Sequence, residues 1–154
     1  MFELALHYIR SYELMEKMLK IYIYKEGKGR LVHTGPVLGI YSSEGLFIRQ
    51  MERGRHAFRT RRPEEALLFF MPYGVANMVD DLYEPGSKSM HSLSLFIGSY
   101  IDNIAAAHPF WNRTHGADHF FVACHDWVIL IHEVMLHIAC TYIHACMHAF
   151  SPMR

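Results

Sequence analysis

The sequence predicts an α/β fold built on a parallel sheet, and three observations predict it. Ala66 to Met71 is continuously apolar and is stopped by Pro72, as expected of a strand covered on both faces. Phe120 to Cys124 is a second such run, and a long helical pattern lies between the two. With an earlier strand and helix, the order becomes strand, helix, strand, helix, strand, which is how a parallel sheet alternates.

In chain order, Leu6, Ile9, Leu14, Met15, Met18 and Leu19 recur at helical spacing, with Arg10, Glu13, Glu16, Lys17 and Lys20 on the other face. Residues 3–19 therefore read as an amphipathic helix. Lys20 to Tyr24 is β-branched and aromatic and ends in the turn cluster Glu26-Gly-Lys-Gly29, so it reads as a strand and its exit. After an irregular stretch holding Gly35-Pro36 and Gly39, Ser42 or Ser43 is placed to cap a helix from Glu44 to Arg53, ended by Gly54. Arg59 to Glu65 reads as a charged connection, because Pro63 keeps the residue before it out of helical geometry. The apolar run 66–71 is the next strand. From Lys88 to Ala107, Met90, Leu93, Phe96, Ile97, Tyr100, Ile101 and Ile104 follow a 3.6 repeat that His108-Pro109 ends. The loop Trp111 to Asp118 then leads into the strand Phe120 to Cys124.

Composition narrows the function classes. A chain of 154 residues is one domain in length, and 51% apolar with 14% aromatic residues is a packed chain, not a disordered one. Fifteen basic side chains balance fifteen acidic ones, so no net field draws in nucleic acid or an acidic membrane. Three cysteines, an odd number without a CxxC, exclude a disulfide scaffold. The first residues lack the basic stretch and apolar core of a signal peptide. Trp127 to Phe150 approaches the ~20 apolar residues of a membrane span, but His132, Glu133, His137, His144 and His148 interrupt it at a cost in hydrocarbon.

Twelve histidines, seven of them from His115 onward, direct attention to the last part of the chain. Polar residues just past the carboxyl end of a strand line the ligand crevice of an open parallel sheet, and His125-Asp126-Trp127 falls there. A carboxylate and an imidazole can take a proton from a sugar hydroxyl or hold it, and an indole face stacks on a sugar ring. Asp118-His119 sits at the other end of the same strand and shares the crevice only if the preceding loop folds back. The alternative is that Asp118 caps the Gly116 turn and His125 is a satisfied core histidine. Asn112-Arg-Thr114 spells a glycosylation sequon but is placed to tie its loop by hydrogen bonds. Six arginines between Arg49 and Arg62 could hold an anionic sugar or phosphate; Glu52, Glu64 and Glu65, interleaved with them, favour a solvated face. His132 to His137 is one residue too long for the HExxH zinc motif. His137, Cys140, His144 and His148 form one helical stripe, which cannot close a tetrahedral metal site by itself, so no metal is expected.

Ser11 to Lys20, Ile21 to Gly27, Gly39 to Gly45, Ala66 to Pro72, Pro109 to Phe120 and Val122 to Trp127 together resemble, in order, the plant exostosin-like glycosyltransferases, glycosyltransferase family 47. The resemblance runs over residues 7–127. It implies a Golgi type II membrane enzyme of GT-B type with two Rossmann-like lobes, which moves a sugar from a nucleotide sugar, a UDP-sugar, onto a glycan acceptor. In such enzymes the first lobe handles the acceptor and the second the donor, and residues 7–127 resemble the first. The chain is thus expected to be a truncated, Rossmann-like acceptor-side lobe, inactive alone, without an anchor and able to associate with full-length family members. Residues 128–154 are expected to form a divergent apolar tail, helical or poorly ordered. By matched position, Asp126 with His125 would act as base or acceptor ligand, Asp118, His119 and Arg113 would shape the acceptor loop, and Trp127 would stack on a sugar. Leu46 stands where the family usually has tryptophan, and His115 where it usually has glycine; a positive φ there would cost on the order of 1 kcal/mol. A non-catalytic carbohydrate-binding or interaction module is the reading from another class.

Overall fold

The computed structural model describes residues 2–54, 57–87 and 89–125. Asp126, Trp127 and the tail 128–154, with its histidine and cysteine stripe, lie outside the described residues. Helix α1 spans Phe2–Met18, β1 Ile21–Ile23, α2 Ser42–Arg53, β2 Arg59–Thr60, β3 Leu68–Phe70, α3 Val75–Leu82, α4 His91–Ala107, α5 Phe110–Thr114 and β4 His119–Phe120. A 3-10 turn, Pro63–Glu65, joins β2 to β3. The strands form one four-stranded parallel sheet in the order β2-β1-β3-β4. The fold is α/β and Rossmann-like, a parallel sheet flanked by helices.

The strands bury both faces because successive side chains point to opposite sides. Ile21, Ile23, Phe70, Phe120 and Val122 pack with Ile48 and Met51 of α2. Tyr22, Tyr24, Phe69, Met71 and Phe121 pack on the other face with Met78 of α3, Leu93, Ile97, Tyr100, Ile101 and Ile104 of α4, and Trp111 of α5. Continuous apolarity in the strands thus reports two covered faces, as expected for a parallel sheet.

Several elements depart from the sequence reading. β2 arises inside the charged connection, where Arg59 and Thr60 pair with Ile21 and Tyr22. Helix α3, read as no element, starts without a side-chain cap at Gly74. Part of the expected loop coils into α5. The final strand is His119–Phe120 and not 120–124, because its partner turns away. Pro72 follows Met71 and has no N–H to donate, and the Tyr73 amide returns to the Met71 carbonyl at 3.0 Å. Neither Ser42 nor Ser43 caps α2. The capping position is Tyr41, with no side-chain bond, and Ser43 Oγ lies 2.8 Å from Cys124 Sγ instead. Helix α1 forms as expected, yet Ile9, Leu14, Met15 and Met18 on its apolar stripe stay exposed, uncovered among the described residues.

The turn at residue 115 does need positive φ. His115 closes α5 in the left-handed region at φ 52°, ψ 40°, and donates its amide to the Trp111 carbonyl. His115→Gly is expected to stabilise the fold by about 0.5–1 kcal/mol, read as a higher urea midpoint at unchanged slope. A lower midpoint would mean that the histidine side chain makes a compensating contact.

Candidate functional site

In a parallel sheet the groups that follow the carboxyl ends of the strands converge on one edge. Here these are Tyr24 to Glu26 after β1, Met71 to Gly74 after β3 and Phe121 to His125 after β4. The edge is held together by Glu44, in the first turn of α2 and fully buried. Its Oε1 accepts the Ala76 amide at 3.0 Å, at the start of α3, and its Oε2 accepts the Cys124 amide at 3.2 Å. Burial pushes its carboxyl up to about 7, against the amides of Ala76, Cys124 and Val75, which pull it down. Backbone packs tightly around it. A Cβ on Gly74 would come within 2.5 Å of the Thr34 carbonyl oxygen, and one on Gly35 within 2.7 Å of Gly45 Cα. Three glycines therefore let the loop 33–36 lie between the starts of α2 and α3.

His125 reaches this edge and stacks on Tyr41, ring centroids 4.6 Å apart at 27°. It is half-buried beside the α2 start, next to Cys124 and Ser43, so the segment after β4 is fixed up to the residue preceding Asp126.

Arg113, Asp118 and His119 are brought together, but at the opposite end of β4. Asp118 Oδ2 accepts Arg113 Nη2 at 2.6 Å, and its Oδ1 accepts Thr114 Oγ1 at 2.5 Å. His119 Nδ1 lies 2.8 Å from the same Oδ1 and its Nε2 lies 2.7 Å from Tyr24 Oη. Burial alone would raise the Asp118 carboxyl; Thr114, Arg113 and His119 overcome it, and the net shift is downward. Burial lowers His119 despite Asp118; in the neutral ring, Nδ1 donates to the carboxylate and Nε2 accepts the Tyr24 hydroxyl proton. Burial, then the charges of Asp118 and Glu26, push the Tyr24 phenol upward, which keeps it a donor. The Arg113 guanidinium also covers the Phe69 ring at 5.3 Å. His119 is fully buried, so this chain of bonds fixes the α5 loop and the Tyr24 side chain from inside. Asp118 does serve the turn, through Thr114 and Arg113, while Asn112 is exposed. Through Tyr24, His119 is tied to the segment that follows β1, while Asp126 lies outside the described residues.

A third cluster went unread in the sequence. His33 adopts φ 64° in the loop after β1, its Nδ1 2.5 Å from Glu52 Oε1 and its Nε2 3.1 Å from the Glu26 carbonyl oxygen. Arg59 donates to the Glu52 carbonyl. Beside it, His108 Nε2 lies 2.6 Å from Glu26 Oε1. Only a positive φ in a non-glycine residue would have flagged His33, and that is invisible without coordinates. Glu44 left a fainter trace, a carboxylate next to a glycine in the run Ser42-Ser-Glu-Gly45. Among the described residues no group of histidine, cysteine and carboxylate side chains could hold a metal ion, and no helix is long and apolar enough to cross a membrane.

The Exostosin GT47 domain model matches residues 15–146. Three probable glycosyltransferases of Arabidopsis thaliana are 48%, 45% and 42% identical to the chain over 118 residues, 77% of its length. The same matches cover 24%, 23% and 25% of those proteins, so the chain spans about a quarter of the length of the curated relatives it matches. No solved structure matches it. A parallel sheet with its polar edge beyond the strand ends, and a family match over most of the chain, lead to one conclusion: the chain belongs to the exostosin family of plant glycosyltransferases, GT47.

Proposed function

We propose that the chain is the acceptor-side lobe of a Golgi exostosin-type glycosyltransferase, one that moves a sugar from a UDP-sugar onto a hydroxyl of a cell-wall glycan. The observation that carries this reading is the fixed approach of the segment after β4 to the carboxyl edge of the sheet, with His125 stacked on Tyr41 and Cys124 tied to Glu44. A side chain there meets a hydroxyl presented over the edge. Asp126 takes its proton or holds it, with His125 as neighbour, and Trp127 supplies a stacking face. Arg113, Asp118 and His119 contribute by shaping the loop and setting Tyr24. The nucleotide sugar would be gripped by a facing lobe, in the part of the relatives that the chain does not match. Association with a full-length relative would supply such a lobe.

The test has two arms. The chain alone is expected to bind glycan and to bind no labelled UDP-sugar. Substituted for the matching segment of a full-length relative, it is expected to support transfer, and Asp126→Asn in that chimera is expected to lower kcat about a hundredfold or more with little change in KM. A chimera that binds glycan but transfers no sugar from any UDP-sugar would favour the carbohydrate-binding module.

A further inference from the structure

At the carboxyl edge of β1 two clefts of about 200 and 250 Å³ adjoin, both lined by His33 and Glu52. Arg49 and Arg53 line the first, Lys25 and Arg59 the second. Arg49 and Arg53 lie four residues apart on α2 and so share a face of the helix, one turn from each other. Two of the acidic side chains interleaved with these arginines in sequence have partners of their own. Glu65 pairs with Arg62, and Glu52 faces His33 Nδ1. Both ring nitrogens of His33 face acceptors, a carboxylate and a carbonyl oxygen. Among the described residues, none of Lys25, Arg49, Arg53 and Arg59 has a carboxylate partner within 4 Å, so across the two clefts four cationic side chains face one carboxylate, Glu52, in a chain whose total is balanced.

We propose that these clefts are a subsite for an acidic sugar of the acceptor glycan, its carboxylate taken by the Arg49 and Arg53 guanidinium groups, with Lys25 and Arg59 at the far side. The inference rests on the acceptor-lobe reading and adds the charge of the substrate to it. Two guanidinium forks one turn apart suit a planar, two-oxygen anion, and a sugar-borne carboxylate presents one together with hydroxyls for His33 and Glu52 to border. A phosphate offers similar oxygens, so the experiment must separate the two.

The purified chain is titrated by calorimetry with an oligosaccharide carrying one glucuronate, with the same oligosaccharide carrying glucose in its place, and with inorganic phosphate. The glucuronate form is expected to bind at least about fivefold tighter than the neutral form and to weaken as salt is raised. Arg49→Gln with Arg53→Gln, on exposed positions of α2, is expected to erase that preference and leave neutral binding unchanged; Arg49→Lys with Arg53→Lys should retain part of it. Equal affinity for the two oligosaccharides, or a preference untouched by the double glutamine variant, overturns the subsite while the acceptor lobe stands. Phosphate that binds at these arginines and displaces the glucuronate form with higher affinity assigns the clefts to phosphate and also overturns it. If neither oligosaccharide binds, the acceptor-lobe reading falls first.

Discussion

Gly45→Ala is expected to destabilise the fold by about 3 kcal/mol or more, a large share of the roughly 5–15 kcal/mol that holds an ordinary domain folded. A Cβ there would run into the Pro36 carbonyl oxygen and the carbonyl group of Gly35. Both obstacles are backbone, so no rotamer change relieves the overlap, and the loop 33–36 must lift off α2. Glu44 and its bonds to Ala76 and Cys124 would shift with it. Gly98→Ala is the matched control: it lies within α4, a Cβ there meets nothing within 4 Å, and it should gain about 0.5–1 kcal/mol. Urea unfolding of the two variants checks both signs. Equal midpoints would mean that the close approach of Gly35 and Gly45 does not exist in solution.

Glu44 gives the second large effect, on the pH dependence of stability. Its folded carboxyl is raised to about 7 from an ordinary value of 4.5, so the fold prefers the protonated form. Its contribution is fully present below pH 4.5 and is lost as pH rises through 7, a total of roughly 3 kcal/mol. His119 works in the other direction. Its folded value is lowered, so its contribution is present above the ordinary histidine value and is lost on acidification. Glu44→Gln separates them. The amide cannot titrate, and its NH2 faces a backbone N–H where a carboxylate oxygen accepted one, at a cost of about 1–3 kcal/mol. The variant is therefore expected to be less stable than the parent at pH 5, with the difference shrinking by roughly 3 kcal/mol by pH 8. Parallel stability curves for parent and variant would show that Glu44 does not titrate in this range.

The strand at 68–70 and the long helix at 91–107 were legible in the sequence because burial writes a pattern. Phe69 and Phe70 lie in an unbroken apolar run, and Leu93, Ile97, Tyr100, Ile101 and Ile104 repeat at helical spacing. β2 was hidden because a two-residue strand made of Arg59 and Thr60 has no apolar signature; its place is decided by the Ile21 ladder. Helix α3 was hidden by its length and by a glycine start, since Gly74 is needed for the Thr34 contact and offers no capping side chain. At the site, His125 was placed correctly at the strand's carboxyl edge, because position relative to a strand end follows from topology. The tie between Arg113, Asp118 and His119 was half legible. Adjacency in sequence suggested a turn, but the reach of Tyr24 from 95 residues away depends on which strands are neighbours. Glu44 read only as the first residue of a helix, because a local pattern says nothing of what lies above it.

Among the described residues, the two margins of the sheet, β2 and β4, are each only two residues long. A neighbouring molecule adding its own strand there would find one or two amide partners, and at β2 an arginine as well, so templated fibril growth has little to start on. Among the described residues, exposed apolar side chains gather on the greasy side of the first helix and at Leu38 and Ile40, where detergent or a coverslip surface would act before another sheet does.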